Sequence, residues 1–147
     1  MELRIRPASQ ADLSAIHALL ALAALPCDDL ATSHIEFLVA ATGQQIVGVV
    51  GVQVMPPAGL LRSLAVAPNV RGTGLGKRLI YALEQHAALR GVTQLTLLTE
   101  TAAPFFSHLG YAVIERGHVA DAIAATSEFR SLCPASATCM HKHFVLD

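Results

Sequence analysis

Leu64-Ala65-Val66-Ala67-Pro68-Asn69-Val70-Arg71-Gly72-Thr73-Gly74-Leu75-Gly76 is the stretch on which the reading of this chain turns. It begins as an apolar strand running from Leu60 to Val66, stops at Pro68-Asn69, and passes through three glycines into an amphipathic segment. Leu75, Leu79, Ala82 and Leu83 recur there at helical spacing, so a helix is predicted over 74–90. Gly91 stands where a left-handed residue closes a helix. A helix start presents unsatisfied N–H groups and the positive end of the backbone dipole, which suits an anion. Glycines let the main chain approach a phosphate with no Cβ in the way, and Arg71 adds a permanent charge.

Two common nucleotide loops do not fit. A dinucleotide fingerprint needs a third glycine where Lys77 or Leu79 stands. A Walker A loop would need glycine at 71 and Ser or Thr at 78, where the chain has Arg71 and Arg78. A glycine-rich turn with only a structural task is the remaining plain reading.

Outward from this loop, Leu3–Arg6 alternates as a half-buried strand. Ser9 and Asp12 form a capping-box-like start for a helix that ends before Pro26. Strands are predicted at 37–41 and 46–55, the second nearly continuous in β-branched residues and glycine and so buried on both faces. Pro56-Pro57-Ala58-Gly59 turns the chain. Further on come a strand at 94–99, a short helix at 103–109, a strand at 111–115, a helix at 120–130 and a last strand at 138–145. This order predicts one mixed α/β domain over residues 1–147, with helices covering a sheet.

The 147 residues include 53% apolar and 14% charged side chains, enough for a core but few charges for the surface. Exposed apolar area of the kind a homodimer buries is therefore expected. Ten basic against eleven acidic residues, with no basic run longer than Lys77-Arg78, argue against a nucleic-acid partner. The N-terminus lacks the apolar core of a secretion signal, and no apolar stretch is long enough to span a bilayer. A cytoplasmic location is expected, with Cys27, Cys133 and Cys139 reduced.

Residues 64–76 closely resemble the core motif of the GCN5-related N-acetyltransferase (GNAT) family, and Ala103-Pro104-Phe105-Phe106-Ser107-His108-Leu109-Gly110-Tyr111 resembles that family's second conserved stretch. The resemblance implies a mostly antiparallel sheet of six or seven strands, splayed between the fourth and fifth, with helices on both faces. It implies acetyl-CoA as cosubstrate, its pyrophosphate on Arg71, Gly72, Thr73, Gly74, Leu75, Gly76 and Lys77. The pantetheine arm would lie along Leu64, Ala65 and Val66, with Phe105 and Phe106 also at the cofactor. A small-molecule amine would attack the thioester directly, a strand N–H stabilising the oxyanion. Where the family often has a tyrosine acid the chain has Phe106, which cannot donate a proton; water or Ser107 is left for that task.

Glu100, at the end of a strand beside the implied acetyl site, is a candidate base, or else a solvated loop carboxylate. Ser63 is a second catalytic candidate, and Arg62 a candidate partner for an anionic group of the acceptor, or else a surface arginine. Residues 61–66 and 128–140 also resemble an arsenic-resistance N-acetyltransferase subgroup. That likeness implies a glutamate-like amino acid bearing a phosphinate or arsenic group as acceptor. Two other readings stand beside it: a non-catalytic acyl-CoA or metalloid sensor using the three cysteines as soft ligands, and acetylation of a protein amine. His141 and His143 share one strand face, but two imidazoles do not complete a metal site, and none is expected. His108, Tyr111 and Phe105 read as packing residues.

Overall fold

The computed structural model describes residues 2–25, 29, 34–132 and 136–144, with no account of the side chains at 131 and 132. Seven strands form one sheet: β1 (Leu3–Pro7), β2 (Glu36–Thr42), β3 (Gln45–Met55), β4 (Ala58–Val66), β5 (Gln94–Thr99), β6 (Ala112–Val113) and β7 (Thr138–His143). Their spatial order is β1-β2-β3-β4-β5-β7-β6. Every pairing is antiparallel except β4 with β5. Seven strands, mostly antiparallel, agree with the expected architecture.

Helices α1 (Leu13–Leu22) and α4 (Asp121–Ala124) cover one face, and α2 (Leu75–Leu89) and α3 (Ala103–His108) the other. Ile16, Leu19 and Leu20 of α1 pack on Val39, Val49 and Ala65. On the opposite face Leu75, Leu79, Ile80 and Leu83 of α2 pack on Leu38, Ala40, Val50 and Val52. Each such fully buried leucine contributes about 1.5–3 kcal/mol through removal of apolar surface from water. Residues 47–52 of β3 are all buried because both faces are covered. At Gly48 a Cβ would stand 2.9 Å from Leu79 Cδ1, so the missing side chain is what lets α2 lie close on β3.

The α1 entry behaves as its sequence predicts. The Ser9 N–H donates to Asp12 Oδ2 at 2.7 Å, and Arg6 fixes the same carboxylate from β1 at 2.8 Å. The Arg6 hydrogen bond, with help from the Ser9 N–H, holds the Asp12 carboxyl well below the usual carboxylate range.

Four expected elements are corrected. The helix expected at 120–130 is broken after Ala124: Thr126 turns its N–H (3.1 Å) and hydroxyl (2.7 Å) onto the Ile123 carbonyl, and the chain continues as a π turn, Glu128–Leu132. A threonine that bonds nearby backbone in this way competes with the helical ladder. The strand expected at 111–115 shrinks to Ala112–Val113, because Tyr111 is drawn into the core and only two residues pair with β7. The expected turn at Pro56–Gly59 ends sooner, since Ala58 and Gly59 already pair with Met55 and Val54 in β4. The last strand ends at His143; Val145, which the sequence assigned to it, lies outside the described residues.

Candidate active site

Strands β4 and β5 pair only through Ala58–Leu60 against Gln94–Thr96. Beyond Leu60 they part: β5 continues its ladder with β7 to Thr99, while β4 keeps only β3. The parting opens a cavity of about 670 Å3. Its walls include Arg62, Ser63 and Leu64 from β4, Leu97 to Thr99 from β5, Glu100, Phe106 of α3, Glu128, and Ala23 to Leu25 after α1.

The β4 wall carries a bulge. Gly51 pairs with Arg62 and Val49 with Ala65, so Val50 faces two residues, Ser63 and Leu64. Ser63 takes up the extra length at φ +62°, a left-handed conformation uncommon for a non-glycine residue and one that costs about 1–3 kcal/mol. The inserted residue shifts the alternation of β4 by one. Arg62 and Ala65 therefore share the α1 face, although they stand three positions apart.

Arg62 is 3% exposed, so the surface-arginine reading is overturned. Its two terminal nitrogens donate to Asp29 at 2.7 Å each, and one also reaches Gln53 Oε1 at 3.0 Å. Its Nε donates to Ser63 Oγ at 3.3 Å and lies 3.9 Å from Glu128 Oε1. A guanidinium so engaged has its bidentate edge occupied by Asp29, while the residue still lines the cavity. The cause lies in Asp29, which no local pattern connects with position 62.

At the far end of β4 the chain runs through Pro68–Val70 into the glycine loop. Gly72 and Gly74 adopt φ +81° and +84°, and a Cβ at either would meet no atom within 4 Å, so these glycines serve conformation and leave an open cradle. The N-cap of α2 is Gly74, which has no side chain to cap the helix, so the N–H groups of its first turn face this cradle. Thr73 closes the loop by donating to the Val70 carbonyl at 2.6 Å, and Arg71 Nε bonds the Val66 carbonyl at 3.3 Å. Lys77 is exposed on the first turn, and Phe105 packs 3.4 Å from the position of a Cβ on Gly76. Arg71, the uncapped first turn and the open glycines together suit a diphosphate.

Glu100 is exposed just after β5 and lines the cavity, as its position in the sequence implied. Phe106 is buried against Phe105 and Tyr111 while also lining the cavity. Ser107 is exposed and is not among the lining residues. Tyr111 donates to Glu84 at 2.9 Å, and burial, reinforced by the Glu84 charge, pushes its hydroxyl far above the ordinary phenol range. It is a packing residue, as expected, and so is Phe105. His108 turns its Nδ1 to the Pro104 carbonyl.

Cys27 and Cys133 lie outside the described residues. Cys139 is buried on β7, and burial raises its thiol pKa against a smaller opposing effect of Arg116. The rings of His141 and His143 meet edge to face at 5.1 Å, and burial, then the neighbouring imidazole, lowers the His141 pKa. Among the described residues no group of three or more His, Cys, Asp or Glu is disposed to hold a metal. No helix among them is long and apolar enough to cross a membrane. Sequence reasoning missed Asp29, Gln53 and Glu128. Glu128 lay inside a stretch already noted for its resemblance, yet its contact with Arg62 spans 66 residues and leaves no local signature.

A family model described as acetyltransferase (GNAT) domain matches residues 33–113. N-alpha-acetyltransferase 80 of Mus musculus is 40% identical over 60 residues, which are 41% of this chain and 19% of that protein. The chain thus corresponds to about a fifth of that relative's length. Among solved structures, N-acetylglutamate synthase from Neisseria gonorrhoeae, in complex with coenzyme A and N-acetyl-glutamate, superposes with TM-score 0.81 at 16% identity. That superposition covers 99% of this chain and 36% of that one. Rv2747 from Mycobacterium tuberculosis, in complex with CoA and NLQ, gives TM-score 0.80 at 24% identity over 97% of this chain and 99% of that one. At such identities the structures share the fold.

Proposed function

The chain belongs to the GNAT acetyltransferase family, and from that premise we propose that it moves an acetyl group from acetyl-CoA to the amino group of a small molecule. The observation that carries this reading is the parting of β4 from β5, which joins a lined cavity to an anion cradle along one strand. The two similar structures described above were both solved with CoA, which supports the same cosubstrate here.

Acetyl-CoA supplies the acetyl group as an activated thioester. The first turn of α2, with Arg71, Thr73 and Lys77, holds the diphosphate, while Leu64 to Val66 offer backbone to the pantetheine arm. Main-chain N–H groups at the Ser63–Leu64 bulge serve the carbonyl oxygen. A protonated amine has no lone pair for attack, so a base must take its proton, and Glu100 at the open rim fills that role. Phe106 supplies an apolar wall and no proton. Holding both reactants in one cleft supplies much of the rate.

The resemblance of residues 61–66 and 128–140 to the arsenic-resistance subgroup nominates a glutamate-like acceptor carrying a phosphinate or arsenic group, and with it a role in resistance. Inorganic arsenite has no amine and is not an acceptor of this reaction. The protein acts in the cytoplasm on this reading, and a homodimer would cover exposed apolar side chains such as Leu22 and Leu89. The test is twofold: calorimetry with CoA, and thiol release from acetyl-CoA across an amine panel that includes phosphinothricin. Binding of acetyl-CoA without turnover on any amine would count against transfer. Phe106 favours one second reading, a non-catalytic acyl-CoA or metalloid sensor; arsenite titration of the reduced protein and of Cys133→Ser tests it, and equal binding removes the thiol idea.

A further inference from the structure

Resting on the transferase reading for the reaction served, we infer that Asp29, acting through Arg62, fixes Ser63 in its left-handed conformation. The main-chain N–H groups of the β4 bulge are thereby aimed at the thioester, and both charged residues are positioning residues for acetyl transfer.

Two stretches of β4 follow registers that a regular strand cannot join. Leu61 packs in the cluster beneath α2, which puts Arg62 on the opposite face, toward α1. Beyond the bulge Leu64 and Val66 pack against that same α2 cluster, and Ala65 packs in the α1 cluster. Strict alternation from Leu61 would instead send Leu64 toward α1 and Ala65 toward α2. The ladder with β3 stops at Gly51–Arg62 and resumes at Val49–Ala65, so the mismatch must be absorbed between those pairs.

The anchoring of Arg62 places it on Ser63. The guanidinium is wholly buried, Asp29 accepts from both its terminal nitrogens at 2.7 Å, and Gln53 of β3 accepts at 3.0 Å. Arg62 cannot turn into the second register without withdrawing a buried charge from its partner. Its Nε donates to Ser63 Oγ at 3.3 Å. A regular strand would point these neighbouring side chains to opposite faces, so that bond exists only with the bulge in place. Ser63 answers at φ +62°, which a residue with a Cβ keeps only where its surroundings impose it. At this level β4 has already parted from β5, and Ser63 and Leu64 both line the cavity. The peptide groups that meet the thioester are thus oriented from the α1 side by a buried ion pair. Aim matters there, because a displacement of about 1 Å at a reacting centre costs about a hundredfold in rate.

Asp29→Asn, which keeps the size of the side chain and removes its charge, tests this through two readouts. One is the three-bond coupling between the N–H and Hα of Ser63, an NMR measure of φ. The other is thiol release from acetyl-CoA, with phosphinothricin as acceptor and by water alone, since both routes pass through the same oxyanion. The coupling should move from the left-handed value of the wild type toward that of an extended strand. The kcat should fall about tenfold or more, while KM for acetyl-CoA and calorimetric CoA affinity stay within about twofold. A merely structural role would lower the folded fraction and leave the rate per folded molecule unchanged. An extended Ser63 in the wild type, or a coupling that Asp29→Asn does not move, overturns the inference. So does a moved coupling with an undiminished rate. Should Asp29→Asn not fold, Arg62→Met with Asp29→Leu replaces the buried pair by apolar side chains and is read by the same outcomes. The coupling needs no turnover: a wild type that releases no thiol counts against the transferase reading alone, and the φ of Ser63 with and without Asp29 then decides the positioning role.

Discussion

Arg62 on β4 grips Asp29 through two hydrogen bonds of 2.7 Å each, with the guanidinium wholly removed from solvent. The pair ties residue 29, which follows α1, to the central sheet at the cavity wall. Removing Asp29 takes from the buried guanidinium its two shortest charged contacts and leaves Glu128 at 3.9 Å. Asp29→Ala should therefore lower stability by about 3–5 kcal/mol, read as a shift in the urea midpoint. Replacing both by apolar residues of similar volume, as in Arg62→Met with Asp29→Leu, should recover much of that loss while abolishing transfer. A neutral effect of the single substitution would mean that the pair does not brace the wall.

Gly74 leads to a different expectation. A Cβ there meets no atom within 4 Å, so any cost of Gly74→Ala is conformational rather than steric against neighbours. At φ +84° an alanine is strained by about 1–2 kcal/mol. If the loop escapes the strain by rotating, its N–H groups leave the cradle. CoA affinity, measured by calorimetry, should then fall about tenfold, equivalent to about 1.4 kcal/mol. An unchanged affinity would show that the loop does not hold the diphosphate.

Both residues also show what a sequence can convey. The glycine loop, the helix behind it and the β4 segment before it are contiguous, so spacing alone placed them. The positions of Ser63, inside the β4 segment, and of Glu100, just after β5, were legible for the same reason. The burial of Arg62 was not legible, because Asp29 and Glu128 come from segments 33 residues before it and 66 after. The break after Ala124 was missed because Thr126 acts through its hydroxyl on Ile123, a choice that helical periodicity does not record. Local chemistry was legible; burial set by distant chain was not.

The Asp12 carboxylate predicts how stability depends on pH. Its pKa in the folded protein lies below the ordinary 3.8, chiefly through the Arg6 hydrogen bond and then the Ser9 N–H. A lowered folded pKa means that the unfolded chain binds the proton more readily. The contribution is complete above the unfolded value and declines as pH falls below it toward the folded value. Between pH 7 and 5 the Asp12 term should be flat, and below about pH 4 it should shrink. Urea midpoints measured across that range should separate wild type from Asp12→Asn at neutral pH and converge in acid. A constant gap down to pH 2 would contradict the assigned ionisation.

Tyr111 is the residue most open to mistaken assignment, since it is an aromatic hydroxyl close to a cavity that lacks an obvious acid. Its hydroxyl donates to Glu84, which also accepts Lys142 Nζ at 3.1 Å, and the Lys142 ammonium lies over the Tyr111 ring at 5.5 Å. Those contacts join α2 to β7 and do not involve the cavity lining. Tyr111→Phe removes one hydrogen bond to a charged group and should cost about 1.5–3 kcal/mol in stability. The maximal rate of acetyl transfer, at a temperature where both proteins are folded, should stay within about twofold of wild type, since less than 0.5 kcal/mol of barrier is at stake. A fall of about a hundredfold would instead make this hydroxyl the proton donor and require the phenol to turn from Glu84 toward the thioester.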